Sequence, residues 1–306
     1  MKVLGFYQKC VGSAVKCFST SKIEGDLGHL TMKNLLTLSI FAGLASLSNA
    51  QGYFSDNFSS NSQLNYYGTD REAPQSVTTG TFFGKTAVKL TVWDDSAVTD
   101  PFYDFQGIQR YGDTAHTTGF GVQAAGSKIS LDFYIPSSWN GTAGGTNDKR
   151  GGDLWARFDD TTMSVGNDAY PTVGFYNEGD GNGLGVETFD TYTGNINVFS
   201  LATLAGLGAG INLDGWNNVA MSFDGTTLSS FVNGKLIHTD SDTGWGNVAT
   251  LEGGFIQGWR PLSSINTNNT YDVIATNMAV VPEPASFAVL GLGAFALIRR
   301  RPNKKA

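Results

Sequence analysis

Cysteine is almost absent from this chain. The two that occur, Cys10 and Cys17, both precede the first hydrophobic segment, and the sequence after them contains none. A disulfide, a thiolate metal site and a cysteine nucleophile are therefore excluded from residues 51–281. A body of this length buries enough apolar surface to fold without disulfides.

Positive charge is also scarce in this region. Residues 51–281 carry ten basic and 24 acidic side chains, a net charge of −14, whereas the segments on either side are rich in lysine and arginine. A body this acidic repels a phosphate backbone, which excludes nucleic acid as a partner. Such acidity fits a protein that is soluble outside the cell or that binds cations.

Neither hydrophobic run in the sequence reaches the roughly 20 residues that span a bilayer. The first, Leu35–Leu47, has 13 residues and follows a lysine. Small residues then lead to Ala50, a pattern typical of a signal-peptidase cleavage site. We therefore predict a signal peptide over 32–50. Residues 1–31 form an upstream extension, which is either a long basic leader or the product of a mis-assigned start codon.

The second run, Ala285–Ile298, has 14 residues. As a helix it would measure about 21 Å, which is shorter than a hydrocarbon core of about 30 Å. Arginines follow it directly and stay cytoplasmic under the positive-inside rule. Two prolines and a glutamate precede it and favour an extended segment outside the membrane. Residues 282–306 therefore predict transient inner-membrane anchoring, with the body outside.

The order of these parts resembles the PEP-CTERM sorting signal of Gram-negative bacteria. The matching residues are Pro282, Glu283, Pro284, Arg299, Arg300 and Arg301. The resemblance implies recognition by an exosortase, a membrane enzyme that acts at or near the Pro-Glu-Pro. It also implies delivery to the cell surface or to an extracellular polysaccharide matrix. A simple C-terminal anchor is the alternative.

Residues 51–281 lack sustained helical periodicity and show strict alternation instead. In Lys128–Ile135, four apolar side chains alternate with polar ones. Over 215–240, three alternating segments are joined at Asp224-Gly225 and Asn233-Gly234, dipeptides that favour two-residue hairpin turns. These patterns predict one all-β domain over 51–281.

The unit at 215–240 resembles the LamG-like, or concanavalin A-like, lectin/glucanase fold. The matching residues are Trp216, Val219, Ala220, Asp224, Gly225, Phe231, Val232, Asn233 and Gly234. The resemblance implies a jelly-roll β-sandwich of two antiparallel sheets, flanked here by an N-terminal signal helix and a short C-terminal hydrophobic helix. It also implies that a first strand at 54–60 pairs with a closing strand at 271–281.

Members of this fold often hold a structural calcium ion near the paired ends of the domain. The resemblance implies that Asp56 and Asp272 meet there and supply oxygen ligands, which calcium prefers. Two solvated carboxylates that bind no ion are the alternative.

Recognisable catalytic motifs are missing. Enzymes of this fold that cleave β-glucans carry Glu-x-Asp-x-x-Glu on one strand, and neither Glu178-Gly179-Asp180 nor Glu187 with Asp190 reproduces it. Residues three apart on a strand face opposite sides of the sheet. The Gly-x-Ser-x-Gly motif of serine hydrolases is missing as well. We expect a non-catalytic domain, and a divergent polysaccharide-degrading glycoside hydrolase on the same fold is the alternative.

Tryptophan supplies the candidate ligand contacts. Four of the six tryptophans flank polar segments: Trp139, Trp155, Trp245 and Trp259. Loops at the rim of a sandwich often carry binding sites, and aromatic faces stack on sugar rings. The sequence thus predicts an exported, surface-sorted domain that binds carbohydrate or acts structurally. Tryptophans that serve only as core residues are the alternative.

Overall fold

A computed structural model of the chain describes residues 54–93, 105–111, 120–141, 149–162, 168–178, 182–259 and 270–282. All of them belong to the second of the two units into which the chain divides, Asn49–Ala306. The predicted signal peptide, the two flanking helices and most of the sorting signal lie outside the described residues. No helix within the described ranges has the length and apolarity needed to cross a membrane.

The described residues form two antiparallel sheets that pack face to face, as predicted for an all-β sandwich. The first sheet contains β1 (Phe54–Asp56), β3 (Ser76–Phe82), β4 (Lys85–Trp93), β7 (Ser127–Ile135), β12 (Gly215–Phe223), β13 (Leu228–Val232), β14 (Lys235–Asp240) and β16 (Thr270–Pro282). Its order is β14-β13-β12-β7-β16-β4-β3, and β1 pairs with β16.

The second sheet contains β2 (Gly68–Arg71), β5 (Phe105–Tyr111), β6 (Val122–Gln123), β8 (Arg150–Asp160), β9 (Thr172–Asn177), β10 (Gly185–Phe189), β11 (Ile196–Ser200) and β15 (Val248–Trp259). Its order is β11-β10-β9-β8-β15-β5-β2, and β6 pairs with β15. One short helix, α1 (Leu201–Gly206), follows β11. Short 3-10 turns lie at Asn61–Tyr66, Ser137–Asn140 and Thr243–Asn247.

The core lies between the two sheets and follows from the alternation of apolar residues. The four apolar side chains of β7 are all buried, as the pattern at Lys128–Ile135 predicts. On β8 the side chains that pack in this core are Leu154, Ala156 and Phe158. Because successive side chains on a strand point to opposite faces, the residues between them face outward from the second sheet.

The predicted three-stranded meander forms from β12, β13 and β14, all antiparallel. Asn233-Gly234 makes the predicted two-residue turn, with φ of 49° and 73°. The Asp224-Gly225 turn was predicted wrongly, because the connection spans Asp224–Thr227. The Asp224 carboxylate accepts hydrogen bonds from the backbone N–H of Thr226 and Thr227, and these bonds hold a longer loop.

The predicted pairing of the domain ends is confirmed, since Phe54 on β1 lies opposite Val280 on β16. The register is interrupted between Thr276 and Ala279. Asn277 sits there with φ of 54°. This bulge changes which residues of β16 face the core along the two halves of the strand.

Candidate functional site on the second sheet

Polar side chains form a continuous row across the outer face of the second sheet. Neighbours in register join six strands: Asp70 (β2), Gly107 (β5), Gln257 (β15), Asp153 (β8), Gly174 (β9) and Glu187 (β10). We call these six residues the polar row. Three of its four polar side chains are buried, those of Gln257, Asp153 and Glu187. Such a concentration is unusual, because buried polar groups destabilise a fold unless they are paired.

Two glycines give the polar row its shape. A Cβ atom added at Gly107 would collide with the side chain of Gln257, and one added at Gly174 would collide with the carboxylate of Asp153. The longer side chains therefore lean across the neighbouring strand, over the space that each glycine leaves open. As a result, the Asp153 carboxylate lies towards Glu187, two strands away.

Aromatic side chains flank the polar row on both sides. On one side of the row, two positions along the strands, are the side chains of Phe105, Trp259 and Tyr176. On the other side, again two positions away, are those of Phe255 and Trp155. The Phe105 ring lies 4.9 Å from that of Trp155 and 5.4 Å from that of Trp259. The Phe105 ring thus connects the aromatic residues on the two sides of the polar row.

Cations cover part of these indoles. The Arg71 guanidinium lies 4.6 Å from the Trp155 ring centroid, and the Lys149 ammonium lies 5.6 Å from the Trp259 centroid. Such contacts are favourable cation–π interactions. The Trp259 indole N–H donates a hydrogen bond to the Asp153 carboxylate, and the Trp155 indole N–H is buried beside the row.

Burial makes both central carboxyl groups weak acids. It raises the pKa of Asp153 to about 7, although the Trp259 Nε1–H donates a hydrogen bond to this carboxylate. Burial, together with the nearby charges of Asp153 and Glu178, raises the pKa of Glu187 to about 8. Near neutral pH the pair therefore retains a proton, so it can both donate and accept hydrogen bonds.

Two buried polar atoms beside this pair have no hydrogen-bond partner among the described residues. They are Gln257 Oε1, an acceptor, and Trp155 Nε1, a donor that lies near the Asp153 carboxylate and lowers its pKa, but without the geometry of a hydrogen bond. Gln257 is 0% exposed and Trp155 is 8% exposed. The amide nitrogen of Gln257 is engaged by Asp70, which fixes the orientation of the amide. A buried unpaired polar atom carries a free-energy penalty of about 1–3 kcal/mol.

The four predicted tryptophans separate into two pairs. Trp155 and Trp259 lie on this outer face, as described above. Trp139 is 2% exposed and Trp245 is 0% exposed, and both belong to the core between the sheets. Trp245 also donates from Nε1 to Asp240 over 2.6 Å. For these two tryptophans the expected exposed platform is wrong, because the short turns that carry them fold inward over the ends of the sheets.

The structure does not bring Asp56 and Asp272 together. Asp56 lies opposite Met278, six residues along β16 from Asp272, a distance of about 20 Å at the rise of an antiparallel strand. Asp56 is buried and accepts hydrogen bonds from the Phe58 backbone and the Tyr67 hydroxyl. Asp272 lies on the outer face of the first sheet. The expected calcium site between these two residues is therefore wrong, and the register of β16 is the reason.

A polar cavity of about 410 Å³ lies elsewhere, between the β10–β11 turn and the end of β14. Its lining includes Asp190, Asp240, Asp242 and His238. Within the described residues, no group of three or more His, Cys, Asp or Glu side chains is arranged to hold a metal ion. Calcium binding by the chain stays a prediction.

Sequence reasoning missed most of the polar row. Glu187 was considered only together with Asp190 on its own strand, whereas the partner carboxyl group, Asp153, lies two strands away. The signal that could have found it is the alternation in Gly151–Trp155, which places an aspartate and a tryptophan on the face opposite Leu154. Gly174, at the centre of the apolar strand β9, was a second signal, because a strand glycine often marks a close approach.

Residues 280–301 match the PEP-CTERM protein-sorting motif. The chain therefore carries a sorting motif that exosortase recognises, and this motif indicates an exported protein sorted to the cell envelope. Of the motif residues identified above, Pro282 ends β16. Glu283, Pro284 and the arginines at 299–301 lie outside the described residues. No significant match occurs among curated proteins.

Solved structures with the same sandwich architecture are distant in sequence. A glycoside hydrolase family 16 endo-glucanase from Bacteroides ovatus is 11% identical, with 74% of this chain and 99% of that chain covered and a TM-score of 0.46. The β-glucanase of Bacillus licheniformis is 10% identical, with 76% and 97% covered and a TM-score of 0.42. At these scores the likeness says nothing about what this chain binds or cleaves.

Proposed function

We propose that this exported protein binds polysaccharide on the outer face of the second sheet, without cleaving it. The observation that supports this most is the presence of one unpaired acceptor and one unpaired donor, Gln257 Oε1 and Trp155 Nε1, at the centre of that face. A hydroxyl group donates one hydrogen bond and accepts others. Both atoms are closed to solvent in this structure, so a ligand rich in hydroxyl groups satisfies them once the side chains that cover them move aside.

The carboxyl pair fits the same kind of ligand. The raised pKa values of Asp153 and Glu187 keep at least one of the two carboxyl groups largely protonated near neutral pH, so the pair offers both donors and acceptors without two full charges. Among the flanking aromatic residues, the partly exposed Trp259 offers apolar surface to sugar C–H groups, and the buried rings of Tyr176 and Phe255 pack beside the row. Retaining buried acids destabilises the sheet, which is reasonable where they serve a ligand.

The strand that holds Asp153 favours a non-catalytic role. On β8 the residues two positions away on the same face are Gly151 and Trp155. This strand therefore presents one carboxylate where the β-glucan-cleaving enzymes of this fold present a row of them. This composition supports the proposal of binding without cleavage.

A polysaccharide-degrading enzyme is the second candidate, and one observation favours it. The Asp153 carboxylate leans over Gly174, one strand spacing of about 4.8 Å from β10, which carries Glu187. Retaining glycosidases place their two carboxyl groups about 5–5.5 Å apart. A weak acid at Glu187 could then protonate a leaving oxygen while Asp153 acts as the nucleophile.

The proposed location follows from the sorting motif together with this face. An envelope protein that binds polysaccharide would function at the cell surface or in the extracellular matrix. Signal peptidase would remove residues up to Ala50, and the C-terminal segment would hold the chain in the inner membrane until exosortase acts. These steps and their boundaries are part of the proposal.

Affinity electrophoresis of the full chain tests the proposal, with laminarin, barley β-glucan, xylan or alginate cast into the gel. We expect retardation by at least one polysaccharide, and loss of that retardation in Gln257→Leu. The matched control is Gln123→Leu, which makes the same substitution at an exposed site on β6 and should leave retardation unchanged. Retardation by none of the four, or equal retardation of both variants, would contradict binding at this face.

Reducing-sugar release from the same four polysaccharides separates the two candidates. Binding alone predicts no release. Release that disappears in Glu187→Gln would replace the non-catalytic proposal with the enzyme. Melting temperatures of all variants, measured in parallel, identify any loss that comes from unfolding.

A further inference from the structure

A second cavity lies beside the first sheet, where the β3–β4 turn and β16 approach the start of β8. Its volume is about 230 Å³, and its lining includes Phe83, Tyr134, Trp139, Tyr271, Arg150 and Asp272. A cavity of this size suits a single six-membered ring.

The outer wall of the cavity is an exposed aromatic stack. The rings of Phe83 and Tyr134 are parallel to within 1°, with centroids 3.6 Å apart. Phe83 is 57% exposed. Tyr134 is supported from behind by Trp216, whose ring lies 5.7 Å away in an edge-on arrangement. The stack is thus a rigid aromatic edge that faces solvent on one side.

The turn that carries Phe83 is poorly suited to a bulky residue. Phe83 and Gly84 have φ of 47° and 78°, close to the 49° and 73° of Asn233 and Gly234 in the meander. Both central residues of this turn type need positive φ, which asparagine and glycine adopt readily and phenylalanine does not. The chain thus places asparagine in one turn and phenylalanine in the other. What Phe83 adds is the ring at the mouth of the cavity.

Charged groups of opposite sign lie at the other side of this cavity. The Arg150 guanidinium lies 5.4 Å from the Tyr271 ring centroid. The Asp272 carboxylate accepts hydrogen bonds from Thr91 Oγ1 at 2.8 Å and Lys89 Nζ at 3.3 Å, and its side chain is still 40% exposed. A carboxylate has about four acceptor sites, so Asp272 can accept further bonds from a ligand.

We propose that this cavity is a second saccharide site, which binds one sugar ring at a chain end or a side branch. An apolar wall with a few convergent polar groups is the usual composition of a small-molecule site. Here the ring of the ligand packs against the Phe83–Tyr134 stack, and its hydroxyl groups bond to Asp272 and Arg150. The site is built mainly from the first sheet, and of its lining residues Arg150 alone, at the start of β8, comes from the sheet that carries the polar row.

Saturation-transfer NMR on the full chain tests this site with four probes: the methyl pyranosides of glucose, galactose, mannose and glucuronic acid. We expect transfer to at least one probe, and at least a tenfold weaker affinity in Phe83→Asn. This variant suits the turn better than the native residue, so its melting temperature should be unchanged or raised, and lost binding cannot be attributed to unfolding.

Two further variants complete the test. Leu236→Asn, at an exposed apolar residue of β14, should bind as the native chain does. Trp259→Ala, in the face beside the polar row, should also bind the pyranosides, even if it loses polysaccharide. Transfer to none of the probes, or transfer that Phe83→Asn leaves unchanged, would overturn the proposal. If saturation transfer disappears in Trp259→Ala and in no other variant, the sugar binds at the second sheet, and this result would also overturn the proposal.

Discussion

Replacing Glu187 with glutamine should stabilise the protein near neutral pH and leave its stability in acid unchanged. Glu187 is buried on β10, with the Asp153 carboxylate leaning towards it. Glutamine has nearly the same shape and carries no charge at any pH. The substitution therefore removes the ionisation of one buried carboxyl group and little else.

The size of the effect follows from the shift in the pKa of Glu187, from 4.5 to about 8. Because the folded pKa is raised, the folded state binds more protons than the unfolded state between those two values. Stability contributed by this carboxyl is therefore full below the unfolded pKa and is lost as pH rises towards the folded pKa. Each pKa unit corresponds to about 1.4 kcal/mol, so the deficit at pH 7 is about 3 kcal/mol.

Urea unfolding followed by tryptophan fluorescence measures this difference directly. Glu187→Gln should match the native chain at about pH 4 and exceed its free energy of unfolding by about 3 kcal/mol at pH 7, which corresponds to roughly 10 °C in melting temperature. The exposed residue Glu178 offers a matched control, since Glu178→Gln should change stability by less than about 0.5 kcal/mol. A gain that is equal at both pH values, or no gain at either, would refute the reasoning.

Three further outcomes follow from the packing, each measured as a free energy of urea unfolding. Gly174→Ala should destabilise the fold by about 1–3 kcal/mol, because the new Cβ collides with the Asp153 carboxylate. Unchanged stability would contradict the position of that carboxylate over Gly174. Phe83→Asn should stabilise the fold by up to about 1 kcal/mol, because asparagine adopts the left-handed conformation with less strain. A clear loss of stability would show that the Phe83–Tyr134 stack contributes to the fold. Trp245→Ala should destabilise it by about 3–5 kcal/mol, as a core truncation does. Trp259→Ala should destabilise it by less than half as much, and a reversal of that order would contradict their burial.

The architecture could be predicted from the sequence because each of its main signals is local. The alternation in Lys128–Ile135 specifies one buried face, and Asn233-Gly234 specifies a tight turn whatever surrounds it. The pairing of Phe54 with the closing strand came from the resemblance rather than from alternation. The loop at Asp224 was misjudged because a side chain that accepts backbone hydrogen bonds can lengthen a turn that its dipeptide also allows.

The candidate site could be predicted only in part, because its residues are joined by register between strands. The order of the strands brings Asp153 and Glu187 to one row. A shift of either strand by one residue would place its carboxyl group on the other face of the sheet. The same limit explains the error at Asp272, whose distance from Asp56 depends on where β1 pairs along β16. Trp139 and Trp155 flank the same polar segment in the sequence, and only the fold decides which of them faces inward.

The most direct test of binding at the second sheet is an NMR titration of the tryptophan indole N–H signals with the polysaccharide that retards the chain. Trp155 Nε1 is unpaired among the described residues, whereas Trp245 Nε1 is buried and bonded to Asp240. Binding at the polar row predicts large shifts for Trp155 and Trp259 and none for Trp245. Shifts confined to other tryptophans, with Trp155 and Trp259 unmoved at saturation, would contradict the assignment.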